Sequence, residues 1–135
     1  MSKALAAKPG DKKFQLIAYV LGAAHLIFGV TKLIGIDSMT KEFTETWHFP
    51  LWFMYFTGVA QTLGGIALFT RQLRMPASLA MALIMIGAIV TTIISGQIIN
   101  VIICAAVLVL CMVVFKHRIE QLAEELAAEL NEKKA

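Results

Sequence analysis

The stretch from Met75 to Phe115 decides the fold of this chain, and it reads MPASLAMALIMIGAIVTTIISGQIINVIICAAVLVLCMVVF. These 41 consecutive residues include no Asp, Glu, Lys, Arg or His. A helix rises about 1.5 Å per residue and the hydrocarbon core of a bilayer is about 30 Å thick, so one crossing takes roughly 20 apolar residues. The stretch is therefore predicted to cross a membrane twice, with the chain reversing at Ser95-Gly96-Gln97.

Two more apolar segments precede this stretch in a chain of 135 residues, of which 59% are hydrophobic and 16% charged. A polar loop, Asp37–Phe49, separates them, and the second segment begins at Pro50. Proline suits the first turn of a helix because its missing N–H would have no partner there. The sequence thus predicts an all-α, four-helix membrane bundle over residues 14–115, with spans at 14–36, 50–70, 76–94 and 98–115.

Polar segments flank the predicted bundle. Residues 1–13 are predicted to form a short cytoplasmic leader. A basic segment before an apolar run also describes a signal peptide, but this run is long for one and no small-residue cleavage site follows, so the first span is predicted to be uncleaved. Residues 116–135 alternate apolar and acidic side chains at helical spacing, which predicts an amphipathic cytoplasmic extension of the fourth helix. This tail is either a solvated helix or a docking helix for a partner.

The basic residues predict the orientation, since cytoplasmic segments of membrane proteins carry an excess of Lys and Arg. With four spans and a cytoplasmic N-terminus, the outer loops hold Lys41 alone. The cytoplasmic segments then hold Lys3, Lys8, Lys12, Lys13, Arg71, Arg74, Lys116, Arg118, Lys133 and Lys134. We therefore predict a bacterial inner-membrane protein with both termini in the cytoplasm. The scatter of positive charge along the chain argues against nucleic acid as a partner.

Polar side chains inside the spans form the candidate site, because polar groups in hydrocarbon are costly. His25 in the first span and Gln61 in the second are expected at similar depth, where they can face each other. Lys32 lies on the same face as His25, about two helical turns nearer the outside. We predict a polar cavity open to the outside that binds a small anionic or quinone-like head group. Its candidate residues are His25, Lys32, Gln61, Thr91, Gln97 and Asn100.

The two ionisable residues of this set also have purely structural interpretations. His25 can be a neutral imidazole that makes one interhelical hydrogen bond, and Lys32 can extend to the outer headgroups. If Lys32 points inward, then Asp37, Glu42 or Glu45 is a candidate ion-pair partner. The sequence leaves these alternatives open.

Glycines on the first two spans predict where these spans pack. Gly29 lies on the His25 face of the first span, and Gly64 and Gly65 lie on the Gln61 face of the second. Small residues let membrane helices approach closely. We predict that the two spans pack through these faces, with Gly29, Gly58, Gly64 and Gly65 as the packing residues.

Several membrane chemistries do not fit the sequence. A bis-histidine haem needs two histidines at matching depth, and His25 has no such counterpart. No span carries an acidic residue, as a proton-coupled exporter would, and no clustered His, Cys or carboxylate set predicts a metal site. Cys104 and Cys111 are seven residues apart on one helix, too far to bridge each other. The chain is therefore predicted not to be catalytic on its own.

Three short motifs resemble the DoxX and DoxX-like family of small four-span membrane proteins. Phe28–Leu33 is similar to the family's pattern near the outer end of its first helix, with Lys32 at the family's lysine. Gly58–Leu68, followed by Arg71, resembles its second helix and basic turn, and Met85–Ala88 resembles a small-residue stretch in its third. Gln61 stands where the family usually has Glu, so Lys32 lacks that counter-charge here.

The resemblance implies a role in a membrane complex. Some members are subunits of thiosulfate:quinone or quinol oxidase complexes, some form complexes with redox partner enzymes, and animal relatives act as receptor-assembly chaperones. The leading hypothesis is an accessory or binding protein in the lipid bilayer that docks a redox partner or a lipid-soluble ligand. The alternatives are a quinone-binding subunit of an oxidoreductase complex, with quinone as its cofactor, and an assembly chaperone for other membrane proteins.

Overall fold

The computed structural model describes residues 11–135, and every regular element in that range is helical. Helix α1 spans Asp11–Ile34, and α2 spans Asp37–Lys41 and runs into a π-helical turn at Glu42–Thr46. Helices α3, α4 and α5 span Leu51–Phe69, Arg74–Ile94 and Ile98–Lys134. Ten residues of the predicted leader lie outside the described range. Its last three, Asp11–Lys13, belong to α1 and not to a separate segment.

Helices α1, α3, α4 and α5 are each long and apolar enough to cross a membrane. They coincide with the four predicted spans to within a few residues at most ends, which confirms the all-α membrane bundle. The predicted reversal between the last two spans lies at Gly96, whose φ of 73° is in the left-handed region that glycine adopts readily. Helix α5 is the exception in length, because it continues without a break beyond Phe115 to Lys134.

Large apolar side chains cover the outside of the bundle. More than half of the surface of Leu16, Ile27, Phe56, Leu63, Leu83, Ile98 and Ile102 is exposed. A water-soluble protein of this size would bury such residues, whereas lipid tails solvate them. The fully buried positions are occupied instead by small and polar residues together with a few larger apolar ones, including Ala18, His25, Met54, Leu68, Ser78 and Thr92.

Helices α1 and α3 form the closest pair because glycines face each other along their contact. A Cβ atom on Gly65 would lie 2.8 Å from the Gly22 carbonyl oxygen and from the Leu26 amide nitrogen. A Cβ atom on Gly58 would lie 3.2 Å from the Gly29 carbonyl oxygen. The two backbones are therefore nearly in contact, and only glycine fits these positions without moving a helix.

Gly64 differs from the prediction that it faces the first span. Its α-carbon lies against the Met81 side chain of α4. Adjacent helix positions are separated by about 100° around the axis, so Gly64 and Gly65 cannot both face α1. Gly65 packs against α1, and Gly64 leaves room for the Met81 side chain of α4.

Helices α4 and α5 form the second close pair, and the two pairs meet in one apolar core. Its buried members come from all four long helices: Ala18, Leu21, Leu68, Ala77, Met81, Ala82, Cys111 and Val114. These residues cluster towards the end of the bundle that carries Arg71, Arg74 and Arg118, which we call the basic end. The opposite end, with residues 35–50 and the Gly96 turn, we call the loop end.

The loop end is more ordered than the polar loop predicted from the sequence. Most of residues 37–46 are helical, and Phe43 is 4% exposed. The Phe49 N–H donates to the Phe43 carbonyl at 2.8 Å, and the Trp47 N–H to that of Glu42 at 2.9 Å. A helix this short has no periodic signal in the sequence and is unstable in isolation, and here Phe43 buries it against the bundle.

We predict that Gly65→Ala destabilises the bundle. The new methyl group meets backbone atoms of α1 that no rotamer change can move, so the helices must separate, at a cost of about 1–3 kcal/mol. The free energy of unfolding, measured by SDS titration in mixed micelles, checks this expectation.

Gly87→Ala is the matched control, because a Cβ atom on this helical glycine would have no neighbour within 4 Å. Alanine is the better helix former, so this variant should be as stable as the wild type or slightly more stable. Equal losses in the two variants would contradict the close approach of α1 and α3.

Candidate functional site

An interhelical polar pair lies at the loop end, between the ammonium group of Lys32 and the side-chain oxygen of Gln61. Lys32 Nζ donates a hydrogen bond to Gln61 Oε1. Gln61 is 3% exposed and Lys32 is half-buried, so the lysine points into the bundle and not outwards to the headgroups. The pairing depends on Gly58, whose missing Cβ leaves room for the Lys32 stem: a Cβ there would lie 3.0 Å from that of Lys32. Lys32 is also in the last turn of α1, where the helix dipole favours a positive charge.

Aromatic residues of the loop cover this pair. Lys32 Nζ lies 5.6 Å from the centroid of the Phe43 ring, which is cation–π distance. The Trp47 ring packs edge-on against Phe43 at 4.7 Å between centroids. The ammonium group therefore has an amide oxygen on one side and an aromatic face on another.

A chain of side-chain hydrogen bonds joins the loop to α5. Gln97 Nε2 donates to the Glu42 carboxylate at 2.9 Å, and Asn100 Nδ2 donates to Gln97 Oε1 at 3.2 Å. Glu42 is also close enough to Lys32 to interact with it electrostatically, as is Cys104 of α5. The loop end thus collects polar groups from α1, α3, the π-helical turn and α5.

His25 lies deeper in the bundle and is 2% exposed. Its Nδ1 is 2.8 Å from the Leu21 carbonyl oxygen, one turn earlier on α1. A carbonyl can only accept, so Nδ1 carries the proton of this bond, and in the neutral ring Nε2 presents a lone pair. Nε2 makes no hydrogen bond to any residue between Asp11 and Ala135. The hydrogen bond that His25 makes is thus within α1, and not the interhelical bond of the structural interpretation.

Trp47 Nε1, at the loop end, is a second buried polar atom that has no hydrogen-bond partner within the described part of the chain. It can only donate. Buried polar groups are almost always hydrogen-bonded, so each exception calls for a bound water or another ligand atom. The site therefore offers an ammonium donor at Lys32, an indole donor at Trp47 and an imidazole acceptor at His25.

Of the six predicted site residues, the structure pairs Lys32 with Gln61 and Gln97 with Asn100, whereas His25 and Thr91 each bond to a carbonyl of their own helix. The Thr91 hydroxyl donates to the Gly87 carbonyl of its own helix at 2.8 Å. Its neighbour Thr92 is the buried threonine, with 2% exposure. Sequence reasoning also missed Phe43 and Trp47, although an aromatic pair in a loop next to an in-span lysine is a usable signal for a cation–π contact.

We predict that Gln61→Leu destabilises the bundle by about 1–3 kcal/mol, because it leaves the Lys32 ammonium without its acceptor in a poorly hydrated position. Gln61→Glu should restore most of this loss, since a carboxylate accepts the same hydrogen bond. Melting in detergent checks both expectations. Gln72→Leu, in the exposed turn between α3 and α4, is the control. Equal melting temperatures for Gln61→Leu and Gln72→Leu would rule out a structural role for the pair.

Comparisons with known proteins agree with this architecture at the level of family. The family model described as the DoxX-like family matches residues 16–114, which include α1, the loop, α3, α4 and the membrane part of α5. No curated protein and no solved structure matches the chain. Since the match covers nearly the whole bundle, including Lys32, Gln61 and the glycines between them, this chain is a member of the DoxX-like family.

Proposed function

We propose that this protein is a DoxX-like accessory protein of the bacterial inner membrane that binds the head group of a lipid-soluble quinol or quinone at its loop end. The observation that carries the proposal is the buried His25 Nε2, an acceptor without a partner among residues 11–135, on the same helix face as the Lys32 ammonium. A quinol hydroxyl can donate to the imidazole, and the oxygen on the far side of its ring can accept from the ammonium.

His25 and Lys32 lie seven residues apart on one face of α1, about 10 Å along the helix axis. Gly29 lies against Gly58 and Thr62, so Gln61 is opposite the turn of α1 between His25 and Lys32. Lys32 extends towards Gln61, which brings its ammonium nearer to the imidazole than the two α-carbons are. Because α3 packs against Gly29 between the two groups, a head group that contacts both would require α3 to move. The apolar tail of such a ligand would lie along the exposed aliphatic surface of the helices.

The proposed role is binding, not catalysis. A quinol gives up two electrons and two protons when it is oxidised, and an accessory protein leaves the electron transfer to a redox partner. In this proposal, Lys32 and His25 orient the head group, and Phe43 and Trp47 keep water from it. The partner then takes the electrons from a ligand that is already held at a fixed depth.

The proposed orientation places the basic end in the cytoplasm and the loop end outside. Arg71, Arg74 and Arg118 all lie at the basic end, and among the described residues the loop end has Lys41 as its one exposed Lys or Arg. The positive-inside rule favours this arrangement. The ligand site would then open towards the outer leaflet.

The first test of the site is Lys32→Met, which keeps an unbranched side chain and removes the ammonium. We expect the dissociation constant for a short-tailed benzoquinone to rise about tenfold or more, because a hydrogen bond from a charged donor is lost. Quenching of Trp47 and Trp52 fluorescence by the quinone in nanodiscs measures the constant.

Lys41→Met is the matched control, because this lysine is exposed in the same loop region. It should bind the quinone as the wild type does, and circular dichroism should show that both variants are folded. Binding by Lys32→Met within twofold of the wild type, or no saturable quenching of the wild type, would exclude this ligand site.

The second test separates the roles of the two groups with His25→Phe. This variant removes the acceptor at Nε2, so affinity for the reduced quinol should fall about tenfold while affinity for the quinone changes little. The comparison uses the same compound in its two redox states, titrated anaerobically. An equal loss for both states would mean that His25 serves packing and not recognition of the hydroxyl.

A further inference from the structure

The basic end contains a polar cleft that is separate from the proposed quinol site. It has a volume of about 170 Å³ and lies between the start of α1, the α3–α4 turn and α5. Its lining consists of Asp11, Gln15, Tyr19, Phe69, Arg71, Arg74 and Gln121. The cleft thus brings together two aromatic rings and two guanidinium groups.

Arg74 is the buried cation of this cleft, with 9% exposure. Its Nε donates to the Leu68 carbonyl oxygen at 3.1 Å, at the end of α3. The Tyr19 ring centroid lies 5.8 Å from the guanidinium carbon, and the Tyr19 hydroxyl accepts a hydrogen bond from Gln15 at 2.8 Å. Backbone and ring therefore fix the guanidinium at the cleft, where long side chains would otherwise move freely.

Arg118 supplies a second buried guanidinium beside the cleft, with 7% exposure. Its Nη1 lies 3.3 Å from Gln121 Oε1 and 3.5 Å from the Glu125 carboxylate. Its Nε has no hydrogen-bond partner among residues 11–135. A buried cation with an unused donor is a position where an additional acceptor would be stabilising.

The charges around the cleft do not balance. Arg71 and Arg118 share the single carboxylate of Glu125, at 2.7 and 3.5 Å, and both repel the charge on Arg74. Asp11, the carboxylate that lines the cleft, accepts from His117 Nε2 at 3.1 Å. Among the described residues, three guanidinium groups and two carboxylates, Glu125 and Asp11, therefore lie in or beside the cleft, and an anion bound there would offset the remaining positive charge.

We propose that this cleft binds a phosphate group, presented by an anionic phospholipid headgroup or as free phosphate. Arginine suits phosphate because its planar N–H groups match two oxygens at once. The cleft also lies where apolar spans give way to polar residues, which is the depth of the phosphates in a membrane leaflet. Tyr19 and Phe69 would contact the glycerol and upper acyl carbons of a lipid.

The test measures lipid retention by native mass spectrometry of the full chain in detergent, with equal amounts of phosphatidylglycerol and phosphatidylcholine. We expect phosphatidylglycerol to be retained preferentially. Arg71→Gln should reduce this preference about fivefold, and Arg74→Gln at least as much. Arg71 is exposed, so its variant tests the cleft even if the buried Arg74 is needed for folding. Lys116→Gln, at an exposed lysine of the same end, should keep the preference.

A second arm distinguishes the two sources of phosphate. Sodium phosphate, compared with sodium chloride at equal ionic strength, should raise the melting temperature of the wild type and not that of Arg71→Gln if the cleft binds free phosphate. A preference for phosphatidylglycerol without this effect assigns the site to the lipid. If neither the lipid preference nor the phosphate effect depends on Arg71 or Arg74, the proposal is wrong. Neither arm depends on quinone binding.

Discussion

The near contact of the α1 and α3 backbones is the constraint on which the rest of this molecule depends. In lipid there is no hydrophobic force to bring two apolar helices together, so van der Waals packing and interhelical hydrogen bonds must do it. Glycines at positions 22, 29, 58 and 65 permit that packing. The same approach brings the Lys32 stem against Gly58 and its ammonium within reach of Gln61. Packing and polar chemistry are thus parts of one interface.

Much of this architecture follows from the sequence, because the strongest signals are the simplest ones. A long run without charge can only be membrane-spanning, and a glycine at a predicted reversal supplies the left-handed backbone that the turn needs. The Lys32–Gln61 pair could also be predicted from the sequence. An ammonium group inside a span has few acceptors within reach, and the amide oxygen of a neighbouring span is one of them. Polar side chains in the hydrocarbon region have no water to bond, so they pair with each other, and such pairs can be predicted.

The features that were not predicted depend on rotation about a helix axis or on tertiary packing. Gly64 was assigned to the face that meets α1, and Thr91 to the polar site, because a span buried in lipid has little hydrophobic asymmetry to show which side meets protein. Residues 37–46 were predicted to be a loop, whereas most of them are helical, with Phe43 buried against the bundle. Arg74 and Arg118 were predicted only as cytoplasmic charges. Their burial depends on how three elements meet, which the spacing of residues along the sequence does not show.

The two ends of the bundle use polar residues in different ways. At the loop end, neutral amides, a lysine and aromatic rings surround donors and an acceptor that are not all used. At the basic end, guanidinium groups exceed the carboxylates that they contact. Between them lies an apolar core drawn from all four long helices. The two ends of the bundle therefore differ in chemistry, and each carries one of the two proposed binding sites.

The unbroken α5 gives the protein a mechanical property. The 19 residues from Lys116 to Lys134 extend the helix by about 28 Å without a glycine or proline that could act as a hinge. Glu125, part-way along this extension, is clamped to Arg71 of the α3–α4 turn. Because Glu125 pairs with Arg71, a displacement of this extension would first act on the turn that joins two membrane helices.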